Sequence, residues 1–188
     1  MDEEPAVTTP LRGRWAQGLE PRFFCWIVRD RLAASERPGG FARSHRKIRR
    51  QEELIWLGQN GFTRVISLLD STHNLQAYEE ASIPYEHVPL GRRDELGDRL
   101  PLIYESIARR MDVPTEKVLI HSEEFGDRLL GVIAGYLLYS GLVDEGPHAI
   151  VTAERLASRE LGATGREIVA VTVEEHIVRR SRATSADS

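Results

Sequence analysis

The sequence predicts an α/β domain with a mostly parallel central sheet and helices on both faces. Three observations carry this expectation. Short β-prone apolar runs alternate along the chain with segments of helical period, the order that builds parallel sheets. The run Lys117-Val118-Leu119-Ile120-His121 reads as a strand buried on both faces, as an inner parallel strand must be. A length of 188 residues suits one domain with one core.

Residues 1–18 carry Pro, Thr, Gly and charge without periodicity. They are expected to form a flexible arm ahead of a single domain over 19–180, with a disordered polar tail over 181–188. Phe23 to Val28 reads as the first strand and Arg31-Leu32-Ala33-Ala34-Ser35 as the second, after which Arg37-Pro38-Gly39-Gly40 breaks the chain. A helix is expected from about Ser44 to Leu57, with Ile48, Leu54, Ile55 and, at the margin, Trp56 facing inward, and a stop near Gly58. Thr63 to Leu69 reads as a buried strand ended by Asp70-Ser71-Thr72, and Asn74 to Ala81 as a helix. Tyr85-Glu86-His87-Val88 alternates like a strand, residues 91–98 form a charged loop, and Arg99 to Met111 is helical. Beyond the strand that ends at His121, residues 129–141 read as a largely buried helix, 147–160 as an amphipathic one and Thr164 to Arg180 as the last.

Composition narrows the function classes. A net charge of −4 and a pI near 5.9 do not describe a surface built throughout for nucleic acid. The basic run Arg43, Arg46, Lys47, Arg49 and Arg50 is a local patch with two readings, a contact for nucleic acid, an anionic membrane surface or an acidic protein, or a solvated helix start balanced by Glu52 and Glu53. No aromatic stacking pattern accompanies it, so nucleic acid is the less favoured partner. The one cysteine, Cys25, lies in an apolar run, which suits an inert thiol in a reducing compartment. The N-terminus lacks the order of a secretory signal, and the longest apolar stretch, Leu129 to Val143, is broken by glycines and falls short of a membrane span. A cytoplasmic protein is expected. The histidines are scattered without metal-ligand spacing, so no metal or cofactor is expected.

The segment His121-Ser122-Glu123-Glu124-Phe125-Gly126-Asp127-Arg128 joins the buried strand to a helix, where open α/β folds place ligands against unpaired helix amides. His121, one residue, five residues and Arg128 resemble the phosphate-binding loop of the cysteine-dependent protein tyrosine and dual-specificity phosphatases, with Ser122 standing where the family has its cysteine. The likeness extends over residues 22–162. Trp26-Ile27-Val28 with Leu32 to Gly39 resembles the entry strands of small bacterial dual-specificity phosphatases. Glu53-Leu54 through Gly61 to Leu68 resembles their helix, turn and strand, and Tyr85 to Leu90 the strand entering the acid loop.

The resemblance implies a cysteine-phosphatase-like sheet, with His121 ordering the loop. It implies a disabled site as well. The chemistry needs a nucleophile ionised near neutral pH, which a serine hydroxyl is not. Leu129 stands where the family has a hydrogen-bonding Ser or Thr, Phe125 where it has Gly, and Arg92, followed by Arg93, where it has the general acid. Asp94 could act as the acid only from a rearranged loop. An engineered Cys-to-Ser exchange would account for Ser122 alone. Glu123, Glu124 and Asp127 could crowd a phosphate, each like-charge contact at 4 Å costing on the order of 1–4 kcal/mol. The plainest reading of the loop is a turn in which Arg128 pairs with those carboxylates. The functional reading is a pocket for another protein or a small charged ligand, with Arg128, Arg92 and Arg93 as its cationic side. The expected function is therefore a pseudophosphatase, a non-catalytic binding or regulatory module. The alternative is a weak or atypical phosphatase using Ser122, Arg128 and Asp94. The oligomeric state and the ligand are not legible.

Overall fold

The computed structural model describes residues 18–40, 47–72, 75–92 and 94–186, with positions 176 and 178–186 described by backbone only. The strands are β1 (Cys25–Val28), β2 (Leu32–Glu36), β3 (Arg64–Ser67), β4 (Tyr85–His87) and β5 (Val118–Ser122). The helices are α1 (Lys47–Gln59), α2 (Gln76–Glu80), α3 (Leu96–Met111), α4 (Asp127–Tyr139), α5 (Gly146–Ala157) and α6 (Ala163–Ala186). They form a mixed, mostly parallel five-stranded sheet in the order β1-β2-β5-β3-β4, in which only the β1–β2 pair is antiparallel.

The central strand is β5, and its alternation divides the core. Val118 and Ile120 join Leu32, Ala34 and Ile66 beneath α3, α4 and α6, while Leu119 joins Ala33, Val65, Leu54 and Leu57 beneath α1 and α2. Two residues on from Leu119, His121 points to the α1–α2 side. The register pairs His121 with Ser35 on one neighbour and Ser67 on the other, so the strand delivers the following loop to the carboxyl end of the sheet. On the other face α4 lies tightly against α6. A Cβ at Gly131 would come within 2.7 Å of the Gly165 Cα, so that crossing requires glycine.

Several expected boundaries move, each for a local reason. The strand expected from Phe23 begins at Cys25, because Phe23 adopts φ 54° and stands 62% exposed. The expected start of α1 at Ser44 lies outside the described residues, and within the helix Ile48 is 51% exposed rather than inward. Glu53, by contrast, is buried and accepts bonds from the Gly39 amide and Arg49 Nε, each at 2.6 Å. Helix α3 begins at Leu96, inside the segment expected to be loop. The Glu95 carbonyl accepts from the Asp98 and Arg99 amides, and Asp98 suits the positive end of the helix. Helix α6 runs past the expected end at Arg180 to Ala186, since no Gly or Pro interrupts that stretch. No helix among the described residues is long and apolar enough to cross a membrane.

Candidate functional site

Where β5 gives way to α4, the chain borders a cleft of about 670 Å³ whose lining includes Asp70, Arg92, Ser122, Glu124 and Arg128. Gly126 stands at the N-terminus of α4 in an extended conformation and supplies no side-chain cap to the first amides of the helix. This is the geometry in which a helix terminus attracts negative charge.

Inside the loop, polar groups turn to one another. The Ser122 hydroxyl donates to the Glu124 carbonyl at 2.5 Å, and Arg159 Nη1 donates to the Phe125 carbonyl. Phe125 is 3% exposed and packs in the core beneath α4, with the Phe23 ring 6.2 Å away. Its φ is not in the left-handed region, so the residue that replaces the resembled family's glycine sits there without backbone strain. Leu129 is also core, 1% exposed.

All three loop carboxylates border the cleft, and two of them are engaged by groups from distant segments. Asp127 turns to the start of α6 and accepts from the Gly162 amide at 2.6 Å and the Gly165 amide at 2.9 Å. Glu123 pairs with Arg37 Nη2 at 3.0 Å. Glu124 is exposed, its side chain lying against Gly126. Arg128 does not pair with them, since its Nη2 donates to the Gly91 carbonyl at 2.7 Å. Its Nε is buried without a partner among the described residues. Arg128 thus joins the loop to the 91–94 turn.

That turn engages Asp94, the residue that could act as an acid only from a rearranged loop. Asp94 accepts from the Gly91 amide at 2.7 Å and lies 3.6 Å from Arg99, and it does not line the cleft, whereas Arg92 does. Arg93 lies outside the described residues. Of the basic patch, Lys47, Arg49 and Arg50 are among the described residues. Arg43 and Arg46 lie outside the described residues, Arg49 is consumed by buried Glu53, and Lys47 is exposed. Arg50 is partly buried, its pKa lowered by burial and by the Arg37 charge.

Behind the loop, His121 is fully buried, with Nε2 2.8 Å from the Tyr78 hydroxyl and Nδ1 at a long 3.5 Å from the Ser122 carbonyl. Burial chiefly, with a smaller push from Arg37 and His87, lowers its pKa to about 4. It is therefore neutral at pH 7, and the assignment that satisfies both contacts puts the proton on Nδ1 and lets Nε2 accept from Tyr78. Because the folded value lies below the ordinary 6.5, the unfolded chain binds a proton between the two values that the folded chain refuses. The stability from neutral His121 is complete above about pH 6.5 and is lost as pH falls toward 4, in all on the order of 3 kcal/mol. Urea unfolding across this range should show the loss in the parent and not in His121→Gln; equal slopes would show that another group is responsible.

Two loop-holding residues escaped the sequence reading. Arg37 is 8% exposed, donates its amide to the Ser122 carbonyl at 3.0 Å, and binds Glu123. Its position in Arg37-Pro38-Gly39 was a usable signal. Arg159 carried none, since its role depends on how α5 returns to the loop.

No family model matches the chain, and no curated protein matches it by sequence. Among solved structures it is similar to Tk-PTP in its active form, at 22% identity over 81% of this chain and 96% of that one, with a TM-score of 0.62. It is similar to kinase associated phosphatase (KAP) carrying a serine in place of its catalytic cysteine, at 19% identity over 79% of this chain and 92% of that one, TM-score 0.65. The core catalytic domain of the PP-IP phosphatase SIW14 from S. cerevisiae, in complex with citrate, aligns at 13% identity over 89% of this chain and 96% of that one, TM-score 0.59. Such identities establish the fold, that of the protein tyrosine and dual-specificity phosphatases.

Proposed function

We propose that this chain, which has the cysteine-phosphatase fold but no cysteine at the loop, is a pseudophosphatase. It is a non-catalytic cytoplasmic module, derived from small dual-specificity phosphatases of bacterial type, whose cleft binds a charged ligand or a charged segment of another protein. The observation that supports this best is the Ser122 hydroxyl bound to the Glu124 carbonyl. A hydroxyl becomes a nucleophile when a base takes its proton. Here that proton is engaged by a backbone carbonyl, and the nearest histidine faces Tyr78 on the other side of β5.

The cleft offers both signs of charge. Arg128 is held in place by Gly91, Arg92 is exposed, and Asp70 and Glu124 are exposed carboxylates. A ligand bearing both signs meets complementary groups, whereas a phosphate dianion meets Glu124 beside Gly126. Thermal unfolding with inorganic phosphate and with a panel of mixed-charge peptides tests this. A binding peptide at 100 times its Kd adds about 2.7 kcal/mol of stability. That gain should shrink in Arg128→Ala, while phosphate at equal concentration gives less. No shift from any peptide, or a shift from phosphate alone, would count against the reading.

The alternative, a weak or atypical phosphatase, has one observation in its favour: Arg128 stands at the cleft beside the uncapped start of α4.

A further inference from the structure

Away from the cleft, α1 and α2 enclose a groove of about 660 Å³, with Ile48, Ile55 and Ile83 among its apolar lining and Lys47, Glu52 and Glu80 among its charged lining. Ile48 is 51% exposed, although it begins the apolar side of a helix. The described chain starts beside this groove. A Cβ at Gly18 would come within 2.7 Å of the Trp56 backbone, and the Leu19 amide donates to the Glu52 carbonyl at 3.0 Å. Glu52, Trp56 and Gln59 form one stripe of α1, Ile48 and Ile55 belong to the next, and Glu52 borders both.

The described chain therefore begins, at Gly18, at the edge of an apolar groove. The sequence of residues 1–17 places Val7, Leu11 and Trp15 four residues apart, basic Arg12 and Arg14 close to Gly18, and acidic Asp2, Glu3 and Glu4 at the far end. The groove presents the opposite signs in the matching order, with Glu52 near the exit point and Lys47 at the far end of α1. From Trp56 to Lys47 the helix rises only about 14 Å, a distance that 17 residues of chain span several times over.

We propose that the N-terminal segment 1–17 is the occupant of the α1–α2 groove, seating Leu11 and Trp15 over Ile48 and Ile55 with its acidic end toward Lys47. The segment covers the apolar face in its own molecule.

The test uses the full-length chain with a nitroxide label at Thr9→Cys in a Cys25→Ala background and methyl-labelled isoleucine, observed by NMR. The Ile48 and Ile55 methyl signals should be broadened and should recover when the label is reduced, while the Ile133 signal in α4 is unaffected. Mixing nitroxide-labelled chains with separate methyl-labelled chains should broaden neither. Adding Ile48→Glu, at a half-exposed position that leaves the core alone, should release the broadening at Ile55. Signals at Ile48 and Ile55 that ignore the label would overturn the proposal. So would broadening in the mixed sample, which would make a second copy the occupant.

Discussion

A Ser122→Cys variant is expected to hydrolyse aryl phosphates no faster than the parent chain. A catalytic thiol works as a thiolate, which requires surrounding donors to bring its pKa below the ordinary value near 8.5. At this position the Ser122 side chain meets the Glu124 carbonyl, an acceptor, which favours a protonated sulfur. The position after Arg128 adds nothing, because Leu129 is buried in the core. Departure of the leaving group would still lack a proton donor. Asp94 is tied to the Gly91 amide beside Arg99, and the cleft carries Arg92 in its place, so the general acid's usual contribution of about 10²–10⁴ is missing. Initial rates for parent and variant, measured across a pH series that passes the thiol range, check this. A Ser122→Cys enzyme with robust turnover would mean that the rest of the loop is intact for catalysis and that the serine is its one lesion.

The largest expected stability effect lies three residues further on. Phe125→Ala should cost about 3–5 kcal/mol, the usual range for removing a buried phenyl ring from a core. For a chain of this size that lowers the thermal midpoint by roughly 2–4 °C per kcal/mol. The ring is 3% exposed, belongs to the cluster beneath α3, α4 and α6, and adjoins Phe23, so a void there has few means of closing. The loop is thus anchored to the core through a side chain that a glycine cannot supply. Differential scanning calorimetry of Phe125→Ala and of the volume-sparing Phe125→Leu separates the two views of this residue. A small loss for both would place Phe125 in a mobile loop and not in the core.

How far the sequence reveals the fold can be judged from β5 and its neighbours. Val118, Leu119 and Ile120 form an uninterrupted apolar run because both faces of a central parallel strand are covered, and that pattern alone located the strand and the loop after it. The start of α3 was harder, since Glu95 to Asp98 have the composition of a loop and become helical only by capping the helix that follows. Ile48 misled for a related reason: helical period says which residues share a stripe, and only tertiary packing says which stripe is covered.

The site was legible in its identities and not in its directions. Ser122, Phe125, Leu129 and Arg92 announced themselves as departures from a known loop. The sequence could not show that Asp127 turns to the Gly162 and Gly165 amides, that Glu123 meets Arg37, or that Arg128 reaches Gly91, because each partner comes from a distant segment. Charge counted along the loop therefore shows that three carboxylates stand at the cleft, and not that Glu123 and Asp127 already have partners there.

The central claim is that this phosphatase fold carries out no turnover, and the most direct measurement is hydrolysis of an aryl phosphate by the purified parent chain beside Arg128→Ala. The account predicts that both give the same rate, that of the uncatalysed reaction. Turnover by the parent that survives repurification and disappears in Arg128→Ala would contradict it, and would identify the cleft as a working, if unusual, phosphatase site.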